Sequence, residues 1–199
     1  MTHTALAQAV NERSHEEFDA LVNRYYHQAY NTAYRLTGNH ADAEDLLQEA
    51  FLRAYRFFDR YDRSMPFINW FNRILTNLYI DEYRRRGRLR TLSLDESYET
   101  EDGEEAPAFD LPDLSPSPME LALQKELEDA IQEGLSLLSP EFRVAVVLAD
   151  IEGHSYEEIA EMMNTSVGTV RSRIHRGRKQ LRNLIMKHHP NLFERGDLK

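Results

Sequence analysis

From Phe18 onward the apolar positions fall at Phe18, Leu21, Val22, Tyr25, Ala29, Ala33 and Leu36, the spacing of one helical face. Gly38 supplies a stop and Asn39 a cap for the next helix. That helix opens on Asp42, Glu44 and Asp45, as the positive end of a helix dipole favours. It then carries Leu46, Leu47, Ala50, Phe51 and Ala54 on one stripe. The stretch FFDRYDRSMP reads as a loop that ends at Pro66. A third helix follows, with Phe67, Phe71, Ile74, Leu75 and Leu78 turned inward. Its opposite face carries Asn69, Asn72, Arg73, Thr76 and Tyr83, with Trp70 and Asn77 along one flank.

The pattern resumes near the other end. Ser139-Pro140 is a helix start in which the serine side chain can accept from the first free amides. Val144, Val147, Leu148 and Ile151 face inward until Gly153. Ser155-Tyr156-Glu157-Glu158 is a capping box that opens a short helix, with Ile159, Ala160 and Met163 inside. Asn164, which tolerates a left-handed turn, ends it, and Ser166 caps a long helix. On that helix Val170, Ile174, Gly177 and Leu181 share a seam, and Gly177 allows a neighbouring helix to come close. A short helix, a tight turn and a long helix make a helix-turn-helix. No strand pattern competes with these assignments, so the fold class is all-α.

Charge changes how the two halves are connected. The 199 residues carry a formal −10, but residues 1–90 hold +1, residues 91–118 hold −9 and residues 119–199 hold −2. The middle segment has no basic residue and contains Pro107, Pro112, Pro116 and Pro118. It cannot bury enough apolar surface to offset the entropy of ordering, so it reads as an acidic flexible linker. The expected architecture is two small helical domains, 14–90 and 119–188, joined by 91–118. The linker is either a solvated tether or an acidic strand that fits a positively charged channel, with Phe109, Leu111 and Leu114 available for docking.

With the acid confined there, the overall balance no longer argues against nucleic acid. RRRGRLR at 84–90 follows the Asn, Thr and aromatic face of the third helix. Amides can pair with base edges, rings can stack on unpaired bases and guanidinium groups can hold phosphates. The last long helix has seven Lys and Arg between 171 and 187 and no acid. Gly168, Ser172, His175, Arg176 and Lys179 lie opposite its buried seam, with Arg171 and Arg173 flanking, as on a recognition helix in a major groove.

The chain lacks cysteine, which excludes disulfides, thiolate metal sites and cysteine nucleophiles. No apolar run approaches the roughly 18 residues needed to cross a membrane. The N-terminus has no signal-like pattern, so no membrane insertion and a cytoplasmic address are expected. His15-Glu16-Glu17-Phe18-Asp19 begins like a zinc-protease motif but places Asp19 where the second histidine belongs. Glu157, Glu158 and Glu161 are explained by capping and solvation, and His188-His189 by a surface pair. No metal, cofactor or catalytic residue is expected, and an enzyme finds little support.

Three stretches together resemble the extracytoplasmic-function sigma factors, small promoter-recognition subunits of bacterial RNA polymerase. They are DAEDLLQEAFLRAYRFFDRY (42–61), INWFNRILTNLYIDEYRRRGR (68–88) and LSPEFRVAVVLADIEGHSYEEIAEMMNTSVGTVRSRIHRGRKQL (138–181). The resemblance implies a sigma region 2 bundle and a sigma region 4 helix-turn-helix. It implies a transcription initiation factor, of a family tied to stress responses, with no catalysis of its own. Asp45, Gln48, Glu49 and Leu52 would dock on the polymerase beta-prime clamp helices, with the beta subunit also a partner. Tyr61, Trp70, Asn77, Arg84 and Arg85 would take the unpaired minus-ten strand. Thr169, Arg171, Ser172, His175, Arg176 and Lys179 would read the minus-thirty-five duplex. The family's linker threads toward the active-site cleft and RNA exit channel, and an anti-sigma factor often holds the family inactive. Asn164 and Thr165 depart from the glycine and aliphatic residue more usual there, and His175 stands at a variable position. The rival reading is a stand-alone helix-turn-helix regulator whose N-terminal bundle senses a ligand or dimerises. That rival leaves the Asn, aromatic and Arg face of the third helix unexplained.

Overall fold

The computed structural model describes residues 3–92 and 118–194, with side chains over 15–86 and 121–192. The first half forms α1 (His3–Thr37), α2 (His40–Arg56) and α3 (Phe67–Leu92), with a one-turn helix at Phe58–Arg60. The second forms α4 (Pro118–Ser136), α5 (Pro140–Val146), α6 (Tyr156–Met162), α7 (Val167–His188) and the short α8 (Asn191–Glu194). No strand occurs among the described residues, and the architecture is all-α as the periodicity predicts. Residues 93–117, nearly the whole acidic linker, lie outside the described residues.

The helix ends follow local chemistry. Gly38 stops α1 at φ +89°, a backbone conformation that a Cβ opposes, and its N–H bonds Tyr34 O at 2.8 Å. Asn39 then accepts from Asp42 N at 2.8 Å to start α2. Ser155 and Glu158 form the full capping box at the start of α6. Asn164 turns left-handed at φ +47°, and Ser166 accepts from Thr169 N at 3.1 Å to open α7. Two expectations need correction. Ser139 makes no side-chain cap bond, so the start of α5 rests on Pro140 and its preset φ. The helix after Pro140 also does not run evenly to Gly153, because Val147–Ile151 widens into a π-helical turn.

Aromatic packing sets the first bundle. Phe18, Phe58, Phe67 and Phe71 are buried, and Phe51 meets Phe71 with ring centroids 4.5 Å apart. Each such ring contributes about 1.5–3 kcal/mol by leaving water, so Phe71→Ala would be among the costliest single changes here. In the second half Val144, Val147, Leu148, Ile159, Val170 and Ile174 close the helix-turn-helix core. Gly177 lets α7 sit directly on α5: a Cβ there would meet Val146 Cγ2 at 2.7 Å.

The two cores are continuous. Arg143, only 4% exposed, is the polar centre of the junction. Its guanidinium donates to Leu36 O at the end of α1 and to Ser136 O and Leu138 O before α5, and it lies over the Tyr79 ring of α3 at 5.8 Å. Carbonyls at a helix C-terminus are the partners a buried cation prefers when no carboxylate is near. Burial pushes the Tyr79 hydroxyl up to about 12 against the opposing Arg143 charge, so it stays protonated.

Candidate nucleic-acid interface

The helix-turn-helix presents its basic face to solvent. Arg171, His175, Arg176 and Lys179 are exposed, Ser172 is half-buried, and Val170, Ile174 and Gly177 are buried beneath them. Thr169 spends its hydroxyl on Ser166 Oγ at 2.9 Å, which places it at the helix start beside the cap. Four long or polar side chains over two turns give donors for base edges in the middle and cations for phosphates at the margins. Arg178 differs from its neighbours, because it reaches back to Asp150 in the π-helical turn. That turn aims Asp150 at α7 and carries the chain on to Glu152 and His154, both of which face the first bundle.

The polar face of α3 is not the open surface that its periodicity predicts. Asn72 and Thr76 are 0% exposed. Asn69 donates to Glu158 Oε1 at 2.5 Å, Asn72 Nδ2 donates to His154 Nε2 at 3.2 Å, and the Thr76 hydroxyl donates to Asn72 O at 2.7 Å. Only Arg73 and Tyr83 of that face remain exposed. The physical reason is that the second half packs on it, which a period count along one helix does not register.

The other minus-ten candidates divide. Tyr61 is buried, donates its hydroxyl to Met65 O at 2.7 Å and packs against Trp70 at 5.1 Å, so it shapes the loop before α3. Trp70 and Asn77 are half-buried. Arg84 and Arg85 are exposed toward the C-terminal end of α3, and Arg84 pairs with Glu141 at 3.0 Å. Burial raises the Glu141 carboxyl, but its own backbone N–H, Arg84 and Arg173 bring it below the usual range. The side chains of Arg88 and Arg90 lie outside the described residues.

On α2 the four docking candidates form one exposed stripe. Asp45, Gln48, Glu49 and Leu52 are spaced by three and four residues on the side away from buried Leu46, Leu47 and Ala50. Leu52 is 54% exposed. The structure therefore brings together the α2 stripe as one face and the α7 set as another, and leaves the α3 set dispersed.

Sequence reasoning missed Glu152, His154 and Arg143. Glu152 accepts from Thr32 Oγ1 at 2.8 Å and Gln28 Nε2 at 3.0 Å. Only a pairing signal between distant positions could have exposed these contacts, since each residue is locally unremarked. No group of three or more His, Cys, Asp or Glu suited to a metal occurs among the described residues. No helix among them is long and apolar enough to cross a membrane.

Comparison with known proteins bears on both halves. Residues 21–89 match sigma-70 region 2, and residues 128–181 match sigma-70 region 4. The chain is 45% identical over 188 residues to the ECF RNA polymerase sigma factor SigE of Mycolicibacterium smegmatis, covering 94% of this chain and 69% of that protein. It is 36% identical to the ECF RNA polymerase sigma factor SigW of Bacillus subtilis, covering 87% and 91%. Among solved structures it resembles the sigma factor RpoE of Bartonella quintana in complex with the anti-sigma factor NepR. That likeness has a TM-score of 0.66 at 26% identity, covering 87% of this chain and 99% of that one. It also resembles CnrH in complex with the cytosolic domain of CnrY, with a TM-score of 0.57 at 26% identity, covering 87% and 90%.

Proposed function

The chain belongs to the extracytoplasmic-function (ECF) sigma factors of RNA polymerase, and from that premise we propose how its surfaces divide the work. It binds core RNA polymerase, directs it to specific promoters and takes part in opening them; the family is one of non-catalytic initiation factors. Region 2 occupies 14–90 and region 4 occupies 119–188 in this reading. The α2 stripe of Asp45, Gln48, Glu49 and Leu52 docks on the clamp helices. Trp70, Asn77, Arg84 and Arg85, with the loop shaped by Tyr61, take the unpaired minus-ten strand. Thr169, Arg171, Ser172, His175, Arg176 and Lys179 read the minus-thirty-five duplex. No step of chemistry is assigned to the chain itself, and its place of work is the cytoplasm.

The observation that carries this reading is the exposed basic face of α7 on a correctly capped helix-turn-helix, together with a separate exposed stripe on α2. Two independent faces let one subunit hold polymerase and duplex at once. The acidic segment 91–118 threads toward the polymerase cleft, where a channel built for RNA attracts a polyanion. Because the solved sigma factor RpoE is bound to an anti-sigma factor, an inhibitor of this kind is also part of the reading for this chain.

Transcription reconstituted from purified protein and core polymerase on genomic DNA tests the reading. Promoter-specific transcripts that require this chain are expected. A protein that neither binds core nor directs initiation at any promoter overturns it. Removing residues 95–113 should impair initiation and spare duplex binding by region 4; full activity after that deletion would make the linker a plain tether.

A further inference from the structure

One flank of α7 carries Arg171, His175, Arg178 and Arg182 at intervals of four, three and four residues, so they form a single ridge about 16 Å long. All four are exposed. The helix supplies no acid of its own between Val167 and His188. A carboxylate reaches the ridge from another element: Asp150, in the π-helical turn, accepts from both Nε and a terminal nitrogen of Arg178. These are the forked donors with which an arginine grips a phosphate. Asp150 first, and then Tyr156 at the start of α6, hold the Arg178 charge above its usual range, against the opposing effect of burial. On the other flank Arg173 lies close enough to Glu141 of α5 to lower that carboxyl. Carboxylates from outside α7 thus meet cations at its two margins and leave Ser172, Arg176 and Lys179 between them.

We propose that Asp150 is a positioning residue that withholds Arg178 from the phosphate backbone and so caps the sequence-independent affinity of α7 for duplex DNA. The inference rests on the reading above that α7 docks on the minus-thirty-five duplex. Stability does not explain the pair, since the Arg178 and Asp150 side chains are 53% and 32% exposed and such pairs add little to a fold. Its effect toward a polyanion is larger. One more cation on phosphate steepens the salt dependence of duplex binding by about 0.9 and raises affinity up to about eightfold at 0.1 M salt.

Phosphate contacts carry no sequence information, and non-promoter sites vastly outnumber promoters. Each added contact of that kind therefore holds free subunits on DNA that would otherwise meet core polymerase. Withholding Arg178 lowers this retention and leaves the base-edge donors of Ser172, His175 and Arg176 in place.

Full-length Asp150→Asn tests this, with Asp150→Ser as a second replacement. The probes are the minus-thirty-five duplex of a promoter identified by the reconstituted transcription and a scrambled duplex, titrated by anisotropy at several salt concentrations. Affinity for the scrambled duplex should rise about three- to eightfold at 0.1 M salt, with a salt slope steeper by about 0.9. Asp150→Glu should restore the native slope. Adding Arg178→Gln to Asp150→Asn should remove the gain, an outcome that simple loosening of α7 does not produce. Core binding by Asp150→Asn should match the native chain without DNA and fall below it when scrambled duplex is added in excess. An unchanged slope, weaker binding to the scrambled duplex, or a gain that survives Arg178→Gln overturns the proposal. If the native chain binds both duplexes alike, the assignment of α7 to the minus-thirty-five element fails instead, and the slope of Asp150→Asn still reads whether Arg178 is withheld.

Discussion

Arg178 lays its guanidinium across the carboxylate of Asp150, with Nε 2.9 Å from Oδ2 and a terminal nitrogen 2.5 Å from Oδ1. This pair ties α7 to the π-helical turn, and it sets Arg178 apart from Arg176, two residues away, whose side chain is exposed. Both partners are partly exposed, so the pair adds at most about 1 kcal/mol to stability. Its geometric effect is to fix the angle at which α7 leaves the turn.

Arg176 and Arg178 should therefore behave differently on DNA. Arg176→Ala is expected to lose about 1–3 kcal/mol at the preferred minus-thirty-five duplex and to leave core binding intact. Arg178→Ala should weaken all duplexes slightly and hardly move the salt dependence. Anisotropy titrations on cognate and scrambled duplexes at several salt concentrations check both. Equal losses for Arg176→Ala on every sequence would make Arg176 a phosphate contact.

How much of this was legible beforehand depends on whether the cause was local. Asn39, Ser155, Glu158, Asn164 and Ser166 act on backbone groups within a few residues, and their caps and turns stand as the sequence predicts. The seam of Val170, Ile174 and Gly177 was legible because a period of 3.6 sorts one helix into faces. Asn72 and Thr76 were misplaced for the same reason. They lie opposite the buried side of α3, and periodicity marks such a side as solvent unless a second body covers it. Arg143 was illegible because its partners are backbone carbonyls of Leu36, Ser136 and Leu138, which carry no side-chain signature.

Glu158 gives the packing of α6 on α3 a pH dependence. The Ser155 backbone N–H and hydroxyl, then Asn69 and His154, hold its carboxyl below the usual 4.5. A lowered folded value means that the carboxylate's contribution is complete above 4.5 and is lost as pH falls through the lowered value. Denaturant midpoints followed from neutral to acid pH should fall less steeply in Glu158→Gln than in the native chain. Parallel curves would mean that Glu158 carries none of the acid sensitivity.

Gly177 should resist even the smallest side chain. In an open helix, Gly→Ala would gain about 1 kcal/mol. Here the new Cβ meets Val146 Cγ2 at 2.7 Å and Phe142 O at 3.4 Å, one atom on a stiff β-branched side chain and one on backbone. Separating α5 from α7 should outweigh the gain and leave Gly177→Ala about 1–2 kcal/mol less stable. Thermal unfolding checks this, and a stabilised variant would mean that the two helices part without strain.

Leu52 offers a sharp test of the α2 stripe. Its side chain is 54% exposed among Asp45, Gln48 and Glu49, so little of the fold depends on it. Leu47, on the buried side of the same helix, is 2% exposed and packs in the core. Leu52→Asp should therefore keep the native melting temperature, whereas Leu47→Asp should unfold region 2. If Leu52 enters an apolar site on the clamp helices, losing that burial and desolvating a carboxylate in its place costs at least about 1.5–3 kcal/mol. Core affinity would then fall tenfold or more by titration of labelled protein, and promoter-directed transcription would fall with it while minus-thirty-five duplex binding by the free subunit holds. Unchanged core affinity in Leu52→Asp would remove this stripe as the docking face, leaving the exposed aromatic positions Tyr26, Tyr55 and Phe57 nearby as the next to substitute.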